Sequence, residues 1–267
     1  MTMRTVLTAI ALTGLVCAPL AFAADTKLAA LVAAPQRAAE NKARDGARHP
    51  AASLEFWGLK PGQTVIEVAP GGGYWSEILA PYAKETGGHY TAATGKADQK
   101  LPDKFTDKAV YGDIHYTVFS NSSGPLAPAN SADLVLTARN IHDWLWTPGM
   151  AEKSMRDFYA VLKPGGILAV EDHRADPRPQ IGDARDGYVA TANIVALAEK
   201  AGFKLEAKSE INANPKDTKD HPFGVWTLPP SRQTAPNGQP ANPAFDRAKY
   251  DAIGESDRMT LRFRKPA

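Results

Sequence analysis

Unbroken apolar, β-branched runs alternate with helix-length stretches along most of this chain. Residues 64–69, Thr64-Val65-Ile66-Glu67-Val68-Ala69, show no polar alternation, which fits a central parallel strand covered on both faces. A triple glycine, Gly71-Gly72-Gly73, follows, and 74–82 has a helical pattern. Further strands are predicted at 89–94, 114–119, 132–137, 167–171 and 203–211, with a last one at 259–264. Helical patterns occupy 148–162, an amphipathic stretch, and 190–201, which Gly202 ends. Strands separated by helices imply βαβ units and a largely parallel sheet. The last strand is reached through a loop, so it can lie antiparallel. Residues 212–250 are crowded with Pro, Asn and Gly and read as a long surface excursion.

Before the first strand, Leu28, Leu31 and Val32 stand at helical spacing ahead of Pro35. A second helical piece runs over 37–48 until His49-Pro50 breaks it, and 53–57 form a short helix stopped by Gly58. The first residues differ from all of this. Arg4 precedes an apolar run over 6–22 that ends in Ala21-Phe22-Ala23, small residues where a signal peptidase reads. A spanning anchor would want about 20 apolar residues with no proline near its end. Pro19 breaks this run, so cleavage after Ala23 is expected and leaves no stable membrane anchor. The organisation is then a signal peptide 1–23, a helical segment 24–52 and a main domain 53–267. Cys17, the single cysteine, goes with the signal, which leaves a thiol-free mature chain suited to a periplasmic or secreted, oxidising location. The charge balance, 31 Lys plus Arg against 29 Asp plus Glu, gives no field that would draw nucleic acid.

A strand that ends in an acid and opens through glycines into a helix suits a nucleotide. Small residues let backbone N–H groups approach, and the helix start adds positive potential. The run from Val65 to Gly73 resembles the first motif of the class I S-adenosylmethionine-dependent methyltransferases. Ala132-Asp133-Leu134-Val135-Leu136 resembles their fourth strand, and Leu162-Lys163-Pro164-Gly165-Gly166 into 167–170 resembles the turn before their fifth. Arg44-Asp45 with Arg48-His49-Pro50, Asn140-Ile141-His142-Asp143-Trp144 and Glu171-Asp172-His173-Arg174 are similar to an exported group of predicted methyltransferases. The resemblance implies a Rossmann-like methyltransferase fold: α/β, a largely parallel seven-stranded sheet with an antiparallel last strand, and helices on both faces. It implies S-adenosylmethionine as cofactor, bound by Glu67, Ala69, Gly71, Gly73, Thr94, Asn121 and Asn140. Three positions depart from the family pattern. Ala69 stands where glycine is usual, Thr94 where an acid holds the ribose, and Asn121 near where an acid meets adenine, so weak cofactor binding is expected.

Ligands of open parallel sheets bind at the carboxyl ends of the strands. There the fourth strand offers His142 and Asp143, and the fifth offers Asp172 and His173. A hydroxyl or amine acceptor must lose a proton, and histidine suits that role near neutrality. His142 is the first candidate base, oriented by Asp143 or Asp172, with His173 second. No helical pair of ligands marks a metal site, and none is expected. Arg44, Arg48 and His49 read either as a lid over the pocket or as a solvated helix face. The expected function is methyl transfer to a small or medium-sized acceptor. The alternative is a non-catalytic small-ligand-binding protein that keeps the fold.

Overall fold

The computed structural model describes residues 25–177 and 184–267; the expected signal segment 1–23, with Cys17, lies outside them. Four short helices come first: α1 (Thr26–Ala33), α2 (Ala39–Lys42), α3 (Asp45–Arg48) and α4 (Pro50–Phe56). The Asp25 carboxylate caps α1 by accepting from the N–H groups of Lys27 and Leu28. His49-Pro50 does more than end a helix. His49 takes a left-handed φ of 41° and Pro50 becomes the first residue of α4, where its missing N–H costs nothing.

The alternating part follows as β1 (Thr64–Val68), α5 (Ser76–Thr86), β2 (His89–Thr94), α6 (Lys108–Tyr111), β3 (Ile114–Val118), β4 (Ala132–Ala138), α7 (Ile141–Trp144) and α8 (Met150–Val161). Then come β5 (Leu162–His173), α9 (Thr191–Lys200), β6 (Lys204–Ser209), β7 (Pro222–Val225), α10 (Arg247–Ile253) and β8 (Arg258–Arg264). β5 begins earlier than its apolar run, because Leu162 already pairs with Ala132 before a register shift leads into Ile167. One sheet of seven strands has the order β3-β2-β1-β4-β5-β8-β6. β1 to β5 pair in parallel, and β8 lies antiparallel between β5 and β6.

Successive side chains of the central strands point to opposite faces, and each face has its own core. Ile66, Val68, Val135, Leu168 and Val170 join the cluster under α8 and α9, with Phe158, Ile194 and Phe203. Val65, Leu134, Leu136 and Ala169 join the other, with Ile78, Leu79 and Trp57. Leu28 and Leu31 of α1 belong to this second cluster, so the first helices are packed onto the main domain.

Residues 212–250 are mostly irregular, as their composition predicts, but they are not all on the surface. Asn212, Asp217, His221, Thr227 and Leu228 are buried. Asp217 organises the stretch: it accepts from the Tyr188 hydroxyl, sits 2.8 Å from His221 Nε2, and takes the Asp257 N–H at 2.7 Å. These bonds hold the following residues, 225–231, over the carboxyl ends of the central strands.

Candidate functional site

The ends of β1, β4 and β5 open on one cavity of about 230 Å³. Its walls are the turn Glu67–Gly72, Ala138, Arg139, Asn140, His142 and Asp143 at and after the end of β4, and His173 at the end of β5. Asn41 and Arg44 come over it from the first helices, while Trp226, Pro229, Pro230, Glu255 and Ser256 close the other side. Small-molecule pockets generally start at roughly 300 Å³. A nucleoside ligand therefore reaches past the mouth of this one or moves its cover outward.

The glycine turn is built from left-handed residues: Ala69 at φ 51°, Gly71 at 57° and Gly73 at 87°. Ala69 holds this conformation although it has a Cβ, and its N–H donates to Ala93 O at 2.9 Å. At Gly71 a Cβ would meet nothing within 4 Å, so the backbone there is open to a ligand. Gly73 has a different duty. A Cβ at that position would lie 2.6 Å from the Phe105 ring, and Gly73 does not line the cavity. Its glycine is demanded by packing.

Besides Gly73, two more expected cofactor residues lie apart from the cavity. The Thr94 hydroxyl donates into its own following turn, to Lys96 O and Gln99 O, and the residue is buried. Asn121 is exposed on the loop after β3. Neither lines the cavity, which sits over β1, β4 and β5 rather than β2 and β3. Asn140 does line it, while its amide Nδ2 ties the end of β4 to β1 by donating to Val68 O and Thr137 Oγ1, both at 3.1 Å.

Glu67 is buried at the cavity floor. Its Oε2 accepts from the hydroxyls of Tyr90 (2.6 Å) and Ser76 (2.8 Å). Burial pushes its pKa up to about 7, against the pull of those two hydrogen bonds. The carboxyl is therefore poised between protonated and charged near neutrality.

His142 and Asp172 form a buried pair. The imidazole Nδ1 is 2.7 Å from Asp172 Oδ1, and the other carboxylate oxygen takes the N–H groups of Ile141 and His142 at 2.9 and 3.2 Å. The His173 N–H donates to Oδ1 at 2.8 Å. Asp172 is thus saturated, and it sets both the tautomer and the ring plane of His142. It is Asp172, of the two candidates, that orients His142. Asp143 stands on the far side, its carboxylate 3.4 Å from Nε2 and half exposed. Burial lowers the pKa of His142, but the charge and hydrogen bond of Asp172, with Asp143, outweigh it and the net displacement is upward. Burial, and then Asp172's repulsion against the pull of His142, leaves Asp143 raised. His173, 4.8 Å away ring to ring, holds Ser256 Oγ with Nδ1. Burial, with the positive charges of Arg139, Arg258 and, once it is protonated, His142, holds it well below the usual range, so it is neutral.

His142, Asp172 and His173 also bring ligand atoms within 4.8 Å of one another, as a metal would require. The occupied lone pairs of Asp172 and the positive potential at His173 favour an orienting role for the carboxylate over cation binding.

The Arg44–Arg48 stretch packs onto the core instead of forming a solvated face. Arg48 is fully buried, its Nε 3.0 Å from Glu255 Oε2, and Arg44 Nε lies 2.6 Å from Oε1 of the same carboxylate. The Arg48 guanidinium also covers the Tyr74 ring at 4.4 Å. Sequence reasoning did not single out Arg139, Trp226, Glu255 or Ser256. For Arg139 there was a signal, a charge directly after a buried strand; the others lie as single residues in irregular stretches.

No protein-family model matches the chain. Over 140 residues it is 28% identical to the ubiquinone/menaquinone biosynthesis C-methyltransferase UbiE of Hydrogenovibrio crunogenus, a match that covers 51% of this chain and 52% of that protein. The chain thus spans about half the length of the curated relatives it matches. Among solved structures, a SAM dependent methyltransferase from Aquifex aeolicus superposes with a TM-score of 0.56 at 16% identity, covering 90% of this chain and 97% of the other. The [4+2]-cyclase SpnF superposes with a TM-score of 0.58 at 19% identity, covering 91% and 93%. The fold is that of the class I S-adenosylmethionine-dependent methyltransferases, with the seven-stranded sheet and antiparallel insertion expected of it. SpnF, named for a cyclisation, has the same fold, so the fold alone does not fix the reaction.

Proposed function

We propose that the protein is an exported S-adenosylmethionine-dependent methyltransferase in which His142 takes the proton of a small or medium-sized acceptor. The observation that carries this reading is the Asp172–His142 pair on the wall of the cavity that the glycine turn also lines. The partial match to a C-methyltransferase supports it. The cavity residues fit the cofactor. Gly71 leaves its backbone open at φ 57°, and Glu67 lines the same wall. These two, with Ala69 and Asn140, would hold it.

When bound, the cofactor supplies an electrophilic methyl group on a sulfonium. The protein's own contribution is positioning and proton management. Asp172 fixes Nδ1 as the protonated nitrogen, which leaves the Nε2 lone pair of His142 for the acceptor's proton. The charge of Asp172 then stabilises the imidazolium that forms. Neutral His173 stands alongside without competing for that proton. Trp226, with its ring 5.9 Å from His142, and Pro229 and Pro230 keep water from the base.

His142→Ala tests the assignment. Titration with S-adenosylhomocysteine should give near-parental affinity, while turnover falls by about 10²–10⁴, the usual contribution of a positioned base. Unchanged turnover removes His142 as the base, and failure of the parent protein to bind S-adenosylhomocysteine removes the cofactor reading. Export rests on the apolar run 6–22 and the small residues Ala21 and Ala23. Intact-mass measurement on protein from the native cell envelope should find a chain that begins at Ala24; a chain that retains Met1 refutes cleavage.

A further inference from the structure

Most guanidinium groups around the cavity have a carboxylate. Arg44 and Arg48 share Glu255, and Arg258 bridges Glu171 at 2.7 Å and Glu255 at 3.1 Å. Two acids thus serve three bases. Arg139 is a fourth base on the cavity wall, and among the described residues its side chain makes neither a hydrogen bond nor an ion pair; its Nε is buried with no partner. The placement is fixed by the backbone. Arg139 takes a left-handed φ of 61°, an uncommon conformation for a long side chain, and its N–H donates to Glu171 O at 2.8 Å.

A half-buried cation with no ion-paired carboxylate is costly, and an anionic ligand that pairs with it recovers that cost on binding. Burial pushes the pKa of Arg139 down from its ordinary value, yet a guanidinium remains charged across the physiological range. It feels Glu171, Arg258, Glu255 and Arg44, and it acts in turn on His142 and His173. Arg139 and His142 line the same cavity, so one ligand can meet both.

We propose that Arg139 anchors the methyl acceptor, and that the acceptor is an organic oxyanion, a carboxylate or a phosphate ester, whose charged group pairs with this guanidinium while its nucleophilic atom stands at His142. This rests on the methyl-transfer reading above. A planar fork of N–H donors suits both oxyanions, and it fixes the distance from the charged group to the reacting atom. Neutral or cationic acceptors would leave the charge unpaired.

Calorimetric titration of the mature protein, with and without saturating S-adenosylhomocysteine, tests this with three probes of similar size: benzoate, phenyl phosphate and neutral benzamide. At least one of the two anions should bind tenfold or more tightly than benzamide, and the stronger of the two tells which oxyanion the site was built for. Arg139→Gln should erase the preference, Arg139→Lys should keep part of it, and S-adenosylhomocysteine affinity should stay within twofold in both. The thermal midpoint of Arg139→Gln should not fall, because no ion pair is lost. No preference for either anion in the parent protein overturns the proposal. So does a tenfold loss of S-adenosylhomocysteine affinity in Arg139→Gln, which would assign the guanidinium to the cofactor's own carboxylate. If S-adenosylhomocysteine fails to bind the parent, the methyl-transfer reading falls, while the titrations without it still decide whether the cavity selects oxyanions.

Discussion

Replacing Glu67 by glutamine should stabilise the protein at high pH and leave it almost unchanged at low pH. An exposed glutamic acid gives up its proton near 4.5, whereas burial holds the proton on Glu67 to about pH 7. Through that interval the folded protein binds one proton more than the unfolded chain, so stability falls as the pH rises. Each pH unit removes about 1.4 kcal/mol, and the whole interval about 3 kcal/mol. Glutamine is neutral throughout, and its amide oxygen can still accept from Tyr90 and Ser76, so the variant escapes this loss. Urea unfolding of both proteins from about pH 5 to about pH 8 measures the difference directly, because every other titrating group is common to the pair. The gap should open between about pH 5 and 7 in favour of the variant and then stay level. A gap that is constant with pH, or one that favours the parent at high pH, refutes the account of Glu67 as a buried acid poised near neutrality.

Asp172→Asn should move the acidic limb of the turnover–pH profile downward, because Asp172 is the main influence that raises His142 above its ordinary range; an unmoved limb means that another group controls the base. Gly73→Ala should lower stability by about 1–3 kcal/mol more than Gly71→Ala, the usual cost of overpacking. The first must displace the Phe105 ring, while the second meets only its own left-handed backbone. Equal losses on thermal unfolding would refute the packing role given to Gly73.

Much of the architecture was legible because central parallel strands are apolar on both faces. The run 64–69 differs from β1 by one residue, and 89–94 coincides with β2. The largely parallel sheet with its antiparallel last strand follows from the resemblance as well as from these runs. The site was legible where chemistry clusters in sequence, as in Asn140-Ile141-His142-Asp143 and Asp172-His173. Thr94 and Asn121 were placed by analogy with the family that the sequence resembles. Here the 95–106 stretch follows its own course, capping Thr94 and filling the space beside Gly73 with Phe105. Glu255 and Trp226 reach the cavity from irregular chain, where no periodicity marks an inward side chain. Their roles depend on long-range pairing, such as Asp217 with the Asp257 N–H, which has no local signature.

The position of β8 governs the order in which the molecule can be completed. In the sheet β6 pairs with β8 alone, and β8 is made of residues 258–264, close to the carboxyl terminus. A chain that emerges from the ribosome amino end first has nowhere to dock β6 until β8 has appeared. Glu255, which Arg44 and Arg48 need as partner, arrives equally late. Both the open flank of the sheet and the arginine-lined wall of the cavity therefore wait for residues 255–264.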